Sequence, residues 1–151
     1  MIRQARLEDA DSIARIFCDS RAEAMPWLPV LHPPEDVRDF YAGRLLDDEL
    51  YVLERDGEVL GWALLAGDEL DGFYIAPEAQ RQGVGAELFR HVQILRPDRF
   101  GFWVFRDNDR ARRFYESHGA RCLYETDGAT NEEGVPDARY EWRPSPAAGA
   151  V

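Results

Sequence analysis

The stretch Gln80-Arg81-Gln82-Gly83-Val84-Gly85-Ala86 sets two glycines where an apolar run ends and a helical pattern begins. That arrangement suits an anion. The first N–H groups of a helix have no partner within it, and the helix dipole adds partial positive charge at the same end. Glycine at 83 and 85 lets the backbone approach phosphate oxygens, because a Cβ would stand between amide and ligand. Two other phosphate devices are excluded. A Walker loop needs Gly-Lys-Ser/Thr, and this chain has no lysine: all 18 basic residues are arginine. The dinucleotide fingerprint needs a third glycine where Leu88 stands. The lack of lysine also removes Schiff-base chemistry.

Other residues of chemical interest are scattered. Asp71, Glu35, Glu132 and Glu133 are carboxylates able to take a proton, although a solvated surface position is the default for each. His32, His91 and His118 lie too far apart for metal-ligand spacing, and no metal site is expected. Cys18 and Cys122 have no CxxC partner and read as buried free thiols. Gly72, inside an apolar run, marks a bulge or a close backbone approach.

Residues 2–5 can open a sheet, and 8–21 follow a helical period with Ile13, Ile16 and Phe17 apolar. Residues 24–34 hold four prolines, so no regular helix crosses them, yet Met25, Trp27, Leu28, Val30 and Leu31 make the loop apolar. A second amphipathic helix at 35–46 should turn Val37, Phe40, Tyr41 and Leu45 inward. Strands at 50–55 and 58–66 flank Asp56-Gly57, a strong two-residue hairpin turn. A strand at 70–76 leads through the glycine turn to a helix at 84–95, ended by Pro97. Residues 100–105 read as a strand buried on both faces, and strand, helix, strand at this spacing is a parallel crossover. Asn108-Asp109 caps a helix over 109–118 that Gly119 ends. Two strands, 120–126 and 138–143, close the pattern around a loop at 127–137. A single domain over 1–144 and a frayed tail over 145–151 follow.

Bulk composition narrows the partners. A net charge of −11 over 151 residues opposes binding to a nucleic-acid backbone and is compatible with a cationic partner. No apolar run reaches the roughly 18 residues of a membrane span, and the first residues lack a signal-peptide core, so a cytoplasmic, membrane-free location is expected.

The glycine turn gains meaning from a second pattern roughly 25 residues on: Asn108-x-x-Ala111-x-x-Phe114-Tyr115-x-x-x-Gly119. Together with the element order, the two resemble the GCN5-related N-acetyltransferase (GNAT) superfamily over residues 2–144. The resemblance implies an α/β (α+β) fold with a mixed, mostly antiparallel central sheet flanked by helices. It implies acetyl-CoA as co-substrate and a primary amine, small molecule or peptide, as acceptor. Gln80, Arg81, Gln82, Gly83, Val84, Gly85 and Ala86 would wrap the pyrophosphate. Phe73, Tyr74 and Ile75 would pair with the pantetheine arm, and Asn108 would hydrogen-bond the cofactor. A backbone amide of Phe73 or Tyr74 would serve as oxyanion donor, with Phe114 a packing residue. Tyr115 would contact the cofactor and protonate the departing thiolate. Asp71 stands near where the family often has a glutamate as base, and that departure leaves Asp71, Glu35, Glu132 and Glu133 all open for the role. Trp27, His32, Phe40, Glu132 and Glu133 would line the acceptor site, and Arg110, Arg112 and Arg113 could meet phosphates. A homodimer is compatible with the family. A GNAT-fold acyl-CoA sensor without turnover is the alternative, and an acetyltransferase acting on protein α-amino groups is a second enzymatic one.

Overall fold

The computed structural model describes residues 1–145. Of the tail expected over 145–151, residues 146–151 lie outside the described residues. Strands β1 (Ile2–Gln4), β2 (Glu49–Arg55), β3 (Glu58–Ala66), β4 (Glu69–Ile75), β5 (Phe100–Phe105), β6 (Ala120–Thr126) and β7 (Asp137–Trp142) form one sheet, ordered β1-β2-β3-β4-β5-β7-β6. Helices α1 (Ala10–Ala24), α2 (Pro34–Asp47), α3 (Val84–Leu95) and α4 (Asp109–Ser117) cover it. The order of elements is the one the sequence predicts, with ends that coincide or shift by at most three residues. No helix among the described residues is long and apolar enough to cross a membrane.

Local chemistry explains the joins. Asp56 and Gly57 both have positive φ, 51° and 79°, the mirror-image turn whose twist matches a hairpin. Asn108 caps α4 through its Oδ1, which accepts from the Ala111 amide at 3.3 Å. Val84, Leu88, Phe89 and Val92 recur at helical spacing and bury one side of α3. At the other end of the chain, Arg3 donates to both Asp9 oxygens, at 2.8 and 3.0 Å, tying β1 to the start of α1.

Three expectations are corrected. Phe40 does not turn inward: it is 55% exposed, resting edge-on against Tyr41 with Arg44 over its ring. Only Val37 and Tyr41 of α2 are fully buried, because that helix meets the core along a narrow line. β5 is not buried on both faces. Trp103 is 49% exposed, lying beside Tyr124 and Arg139. Cys18 and Cys122 are free, as expected, but half-buried rather than buried.

All neighbouring strands run antiparallel except β4 and β5. That parallel pair is in register only at Glu69↔Gly101, with the Gly101 amide donating to Asp68 O at 2.9 Å. On the other edge of β4, Gly72 pairs with Leu64 but Leu70 pairs with Leu65, so Asp71 is the extra residue of a bulge. Gly72 is also a close approach: a Cβ there would lie 2.5 Å from the Trp62 ring. The bulge and close approach read from Gly72 are thus both present.

Candidate active site

Beyond Glu69 and Gly101 the parallel strands part, and the gap opens into a cavity of about 980 Å³. β4 from Leu70 to Ile75 forms one wall and β5 from Phe102 to Phe105 the other. Hydrogen-bonding groups on those facing edges lack the ladder partners that an ordinary sheet supplies. Neighbouring side chains of β4 leave on opposite faces. Phe73 packs on Phe89, Phe114 and Tyr115 of α3 and α4, while Tyr74 packs on Phe17 of α1 and on Trp62.

The glycine turn closes one end of the gap. Gln80, Arg81, Gly83, Gly85, Ala86 and Asn108 all line the cavity. Gly83 is the N-cap of α3 at φ 78°, where a side chain would meet open space but a strained backbone. Arg81 also has positive φ, 67°, uncommon for a residue with a Cβ. Gly85 owes its lack of a side chain to packing as well, since a Cβ would sit 3.3 Å from Phe114. Gln82 and Val84 turn their side chains elsewhere: Gln82 Nε2 donates to Glu78 O at 3.1 Å, and Val84 is in the core. Arg110 and Arg113 line the cavity, Arg110 paired with Glu23. Arg112 is structural, donating to the Tyr140 hydroxyl at 2.8 Å and to Arg106 O at 2.9 Å.

Tyr115 reaches the cavity from α4. Its ring is enclosed by Phe73, Phe89, Phe102 and Phe114, with centroids 4.5 to 5.9 Å away. Burial, and secondarily the Tyr74 phenol, push its ionisation well above the ordinary phenol range, so it stays protonated. A buried phenol that opens onto a cavity is a proton donor, not a base.

The other end of the cavity is polar. Asp71, Tyr74, Glu132 and Glu133 line it, joined by Arg21 and Met25 of the α1 end. Asp71 accepts from Arg44 Nη2 at 2.7 Å and is half exposed. Glu132 pairs with His32, linking the proline-rich loop to the last loop. Asn131 braces that last loop internally, donating to Val135 O at 2.7 Å and Asp137 Oδ2 at 3.1 Å. Glu133 is the most enclosed of these carboxylates, its side chain 11% exposed. Trp27, His32 and Phe40 do not line the cavity: Trp27 rests edge-on against Phe105, His32 holds Glu132 from outside, and Phe40 faces solvent. Glu35 also lies apart from it, beside Arg38.

Sequence reasoning missed Arg21 and the β5 wall. Arg21 follows Ile13 and Phe17 at four-residue steps, so it falls on the apolar stripe of α1. A lone arginine on such a stripe was the available signal. The β5 residues carry none, because the parting of two strands is not written in either one.

The profile of the "Acetyltransferase (GNAT) family" matches residues 15–120. Among curated relatives, the "Peptidyl-lysine N-acetyltransferase YiaC" of Escherichia coli (strain K12) is 29% identical over 123 residues, covering 79% of this chain and 82% of the relative. The "Peptidyl-lysine N-acetyltransferase YjaB" of the same organism is 30% identical over 120 residues, covering 78% of this chain and 80% of the relative. The solution structure of apo YjaB superposes with a TM-score of 0.80 at 22% identity, covering 96% of this chain and 98% of that one. The structure of yncA from Salmonella typhimurium with its cofactor acetyl-CoA gives 0.72 at 18% identity, covering 98% and 95%.

Proposed function

The chain belongs to the acetyltransferase (GNAT) family, and from that membership we propose that its cavity moves acetyl from acetyl-CoA to a primary amine by direct attack within a ternary complex. The observation that carries the reading is the single pairing of β4 and β5, followed by a gap that runs from the glycine turn past Tyr115 to a polar end. An amide-bearing arm laid in that gap satisfies the unpaired edges of both strands. Its phosphates then meet the α3 N-terminus at Gly83 to Ala86, where amides lack partners.

The roles follow from chemistry. The amine attacks the thioester carbonyl, and a β4 amide at Phe73 or Tyr74, just past the Asp71 bulge, holds the oxyanion. The C–S bond then breaks, Tyr115 protonates the leaving sulfur, and the second proton that nitrogen sheds as the amide forms restores the phenol. A lysine-type amine is about one part in 10³ neutral at pH 7, so a carboxylate must take its proton first. Asp71 and Glu133 both line the cavity. Asp71 is engaged by Arg44, whereas Glu133 makes only a loose contact with Arg21, so Glu133 joins Asp71 as a proton acceptor. The curated relatives make a peptide lysine one acceptor to assay.

Calorimetric titration with acetyl-CoA, paired with thiol release across a panel of amines and lysine peptides, tests the proposal. Wild type should bind acetyl-CoA and release CoA only when an amine is present. Absence of binding would refute the reading. Binding without turnover on any amine would favour the acyl-CoA sensor instead.

A further inference from the structure

Arg21 is a guanidinium set among aromatic rings at the acceptor end of the cavity. Its Cζ lies 4.5 Å from the Phe17 ring centroid and 5.7 Å from that of Phe105. These faces hold the plane of the head group but accept no ordinary hydrogen bond. Among the described residues its Nε is buried without any partner. Its contact with Glu133 spans 3.8 Å from Nη2 to Oε1, beyond hydrogen-bond reach. Burial works against the charge, but the Tyr74 phenol, Glu133 and Tyr41 outweigh it, and Arg21 remains a cation.

A buried donor without an acceptor is rare in folded proteins and calls for a reason. The guanidinium fork is the geometry that takes a carboxylate through two parallel hydrogen bonds. Here the fork lies against rings, its Nε has no acceptor, the Tyr74 phenol stands beside it, and it shares the cavity with Glu133. The two opposite charges sit close without bonding. An occupant that satisfies both brings an anion to Arg21 and an ammonium to Glu133. A polyamine would bring a second cation toward the guanidinium, and a lysine in a neutral peptide would bring carbonyl acceptors but no anion.

We propose that the acceptor is an amine that carries a carboxylate, an amino acid or its equivalent, with the carboxylate held by Arg21 and the amine beside Glu133. This rests on reading the cavity as the site of acetyl transfer. When the substrate carboxylate engages Arg21, Glu133 is released from its loose contact and is free to take the ammonium proton.

The test compares amino acids with the amines formed from them by decarboxylation, such as ornithine with putrescine and lysine with cadaverine. Thiol release gives kcat/KM, and calorimetry in the presence of CoA gives acceptor affinity without turnover. Wild type should favour the carboxylated member of at least one pair by about 10- to 100-fold. Arg21→Gln should bring that ratio within about threefold while acetyl-CoA affinity holds. Lysine peptides with Glu or Gln beside the lysine identify the source of the carboxylate: Glu-selective turnover that disappears in Arg21→Gln supports the site and assigns it to a peptide. Equal use of the paired acceptors by wild type, preference for the decarboxylated members, or a carboxylate preference that survives Arg21→Gln overturns the proposal. If wild type fails to bind acetyl-CoA, the acetyl-transfer reading fails, and this outcome is distinct from the others.

Discussion

Replacing Tyr115 by Phe separates chemistry from packing at one atom. The ring is buried against Phe73, Phe89, Phe102 and Phe114, and all of those contacts survive the change. Among the described residues no side chain hydrogen-bonds the hydroxyl, so its loss leaves no orphaned partner. Stability should therefore stay within about 0.5 kcal/mol of wild type. Affinity for acetyl-CoA should stay within about threefold, because the strand edges and the glycine turn are untouched. The rate should fall by about 10²–10⁴ if the hydroxyl protonates the leaving sulfur, which is about 2.7–5.5 kcal/mol of barrier. Thiol release under saturating acetyl-CoA, with a thermal melt on the same sample, reads both. The pH dependence follows from burial. The folded value lies above the ordinary phenol value of about 10. The acid form therefore persists, and no descending limb below about pH 10 should belong to Tyr115. Because burial penalises the phenolate, folding stability should fall only at high pH, as pH rises from the unfolded value through the folded one. A Tyr115→Phe rate within threefold of wild type, at unchanged melting temperature, would return the residue to a packing role.

Other variants probe the rest of the site and the fold. Gly72→Ala puts a Cβ 2.5 Å from the ring of Trp62, which is itself fixed by its Nε1 bond to Ile13 O at 3.1 Å. It should cost about 1–3 kcal/mol, a fall of about 3–10 °C in Tm; an unchanged Tm would contradict the close approach. Glu133→Gln should lower kcat/KM near neutral pH more than Asp71→Asn does, because Arg44 already engages Asp71; the reverse order would assign the proton to Asp71. Asp9→Asn should destabilise the fold by about 1–3 kcal/mol at pH 7. The Arg3 guanidinium holds the Asp9 carboxyl below its usual range, so this contribution is present above the unfolded value and lost as pH falls through the folded one. Melts of both proteins should converge in acid, and a gap that persists there would rule out the ion pair as its cause.

The elements were legible in the sequence because each carries its own punctuation. Asp56-Gly57 has the left-handed turn, Asn108 the cap and Gly72 the bulge that residue chemistry demands. The glycine turn was legible for the same reason. The cavity was only half legible. Its glycine-turn end follows local patterns, but its polar end is assembled from the last turn of α1, the middle of β4 and the loop before β7. No local pattern brings those together. Trp27 and Phe40 show the converse error: apolar type suggested walls, yet their positions leave one leaning on Phe105 from outside and the other in solvent. Arg21 was passed over because a charged residue near a helix end ordinarily reads as solvated.

The lone rung between β4 and β5 has a further consequence. Most sheets keep their unpaired edges at the outside, where they invite association with other chains. This sheet also has a pair of edges within it, facing each other across a gap and held at one end by Glu69↔Gly101 and the Arg139–Glu69 ion pair. An extended molecule with amides at strand-like spacing would complete the sheet as a temporary eighth strand. Such a ligand should bind the two halves of the protein into one mechanical unit, so that backbone amides of 70–75 and 102–105 exchange with solvent together, slowly when the gap is filled and fast when it is empty.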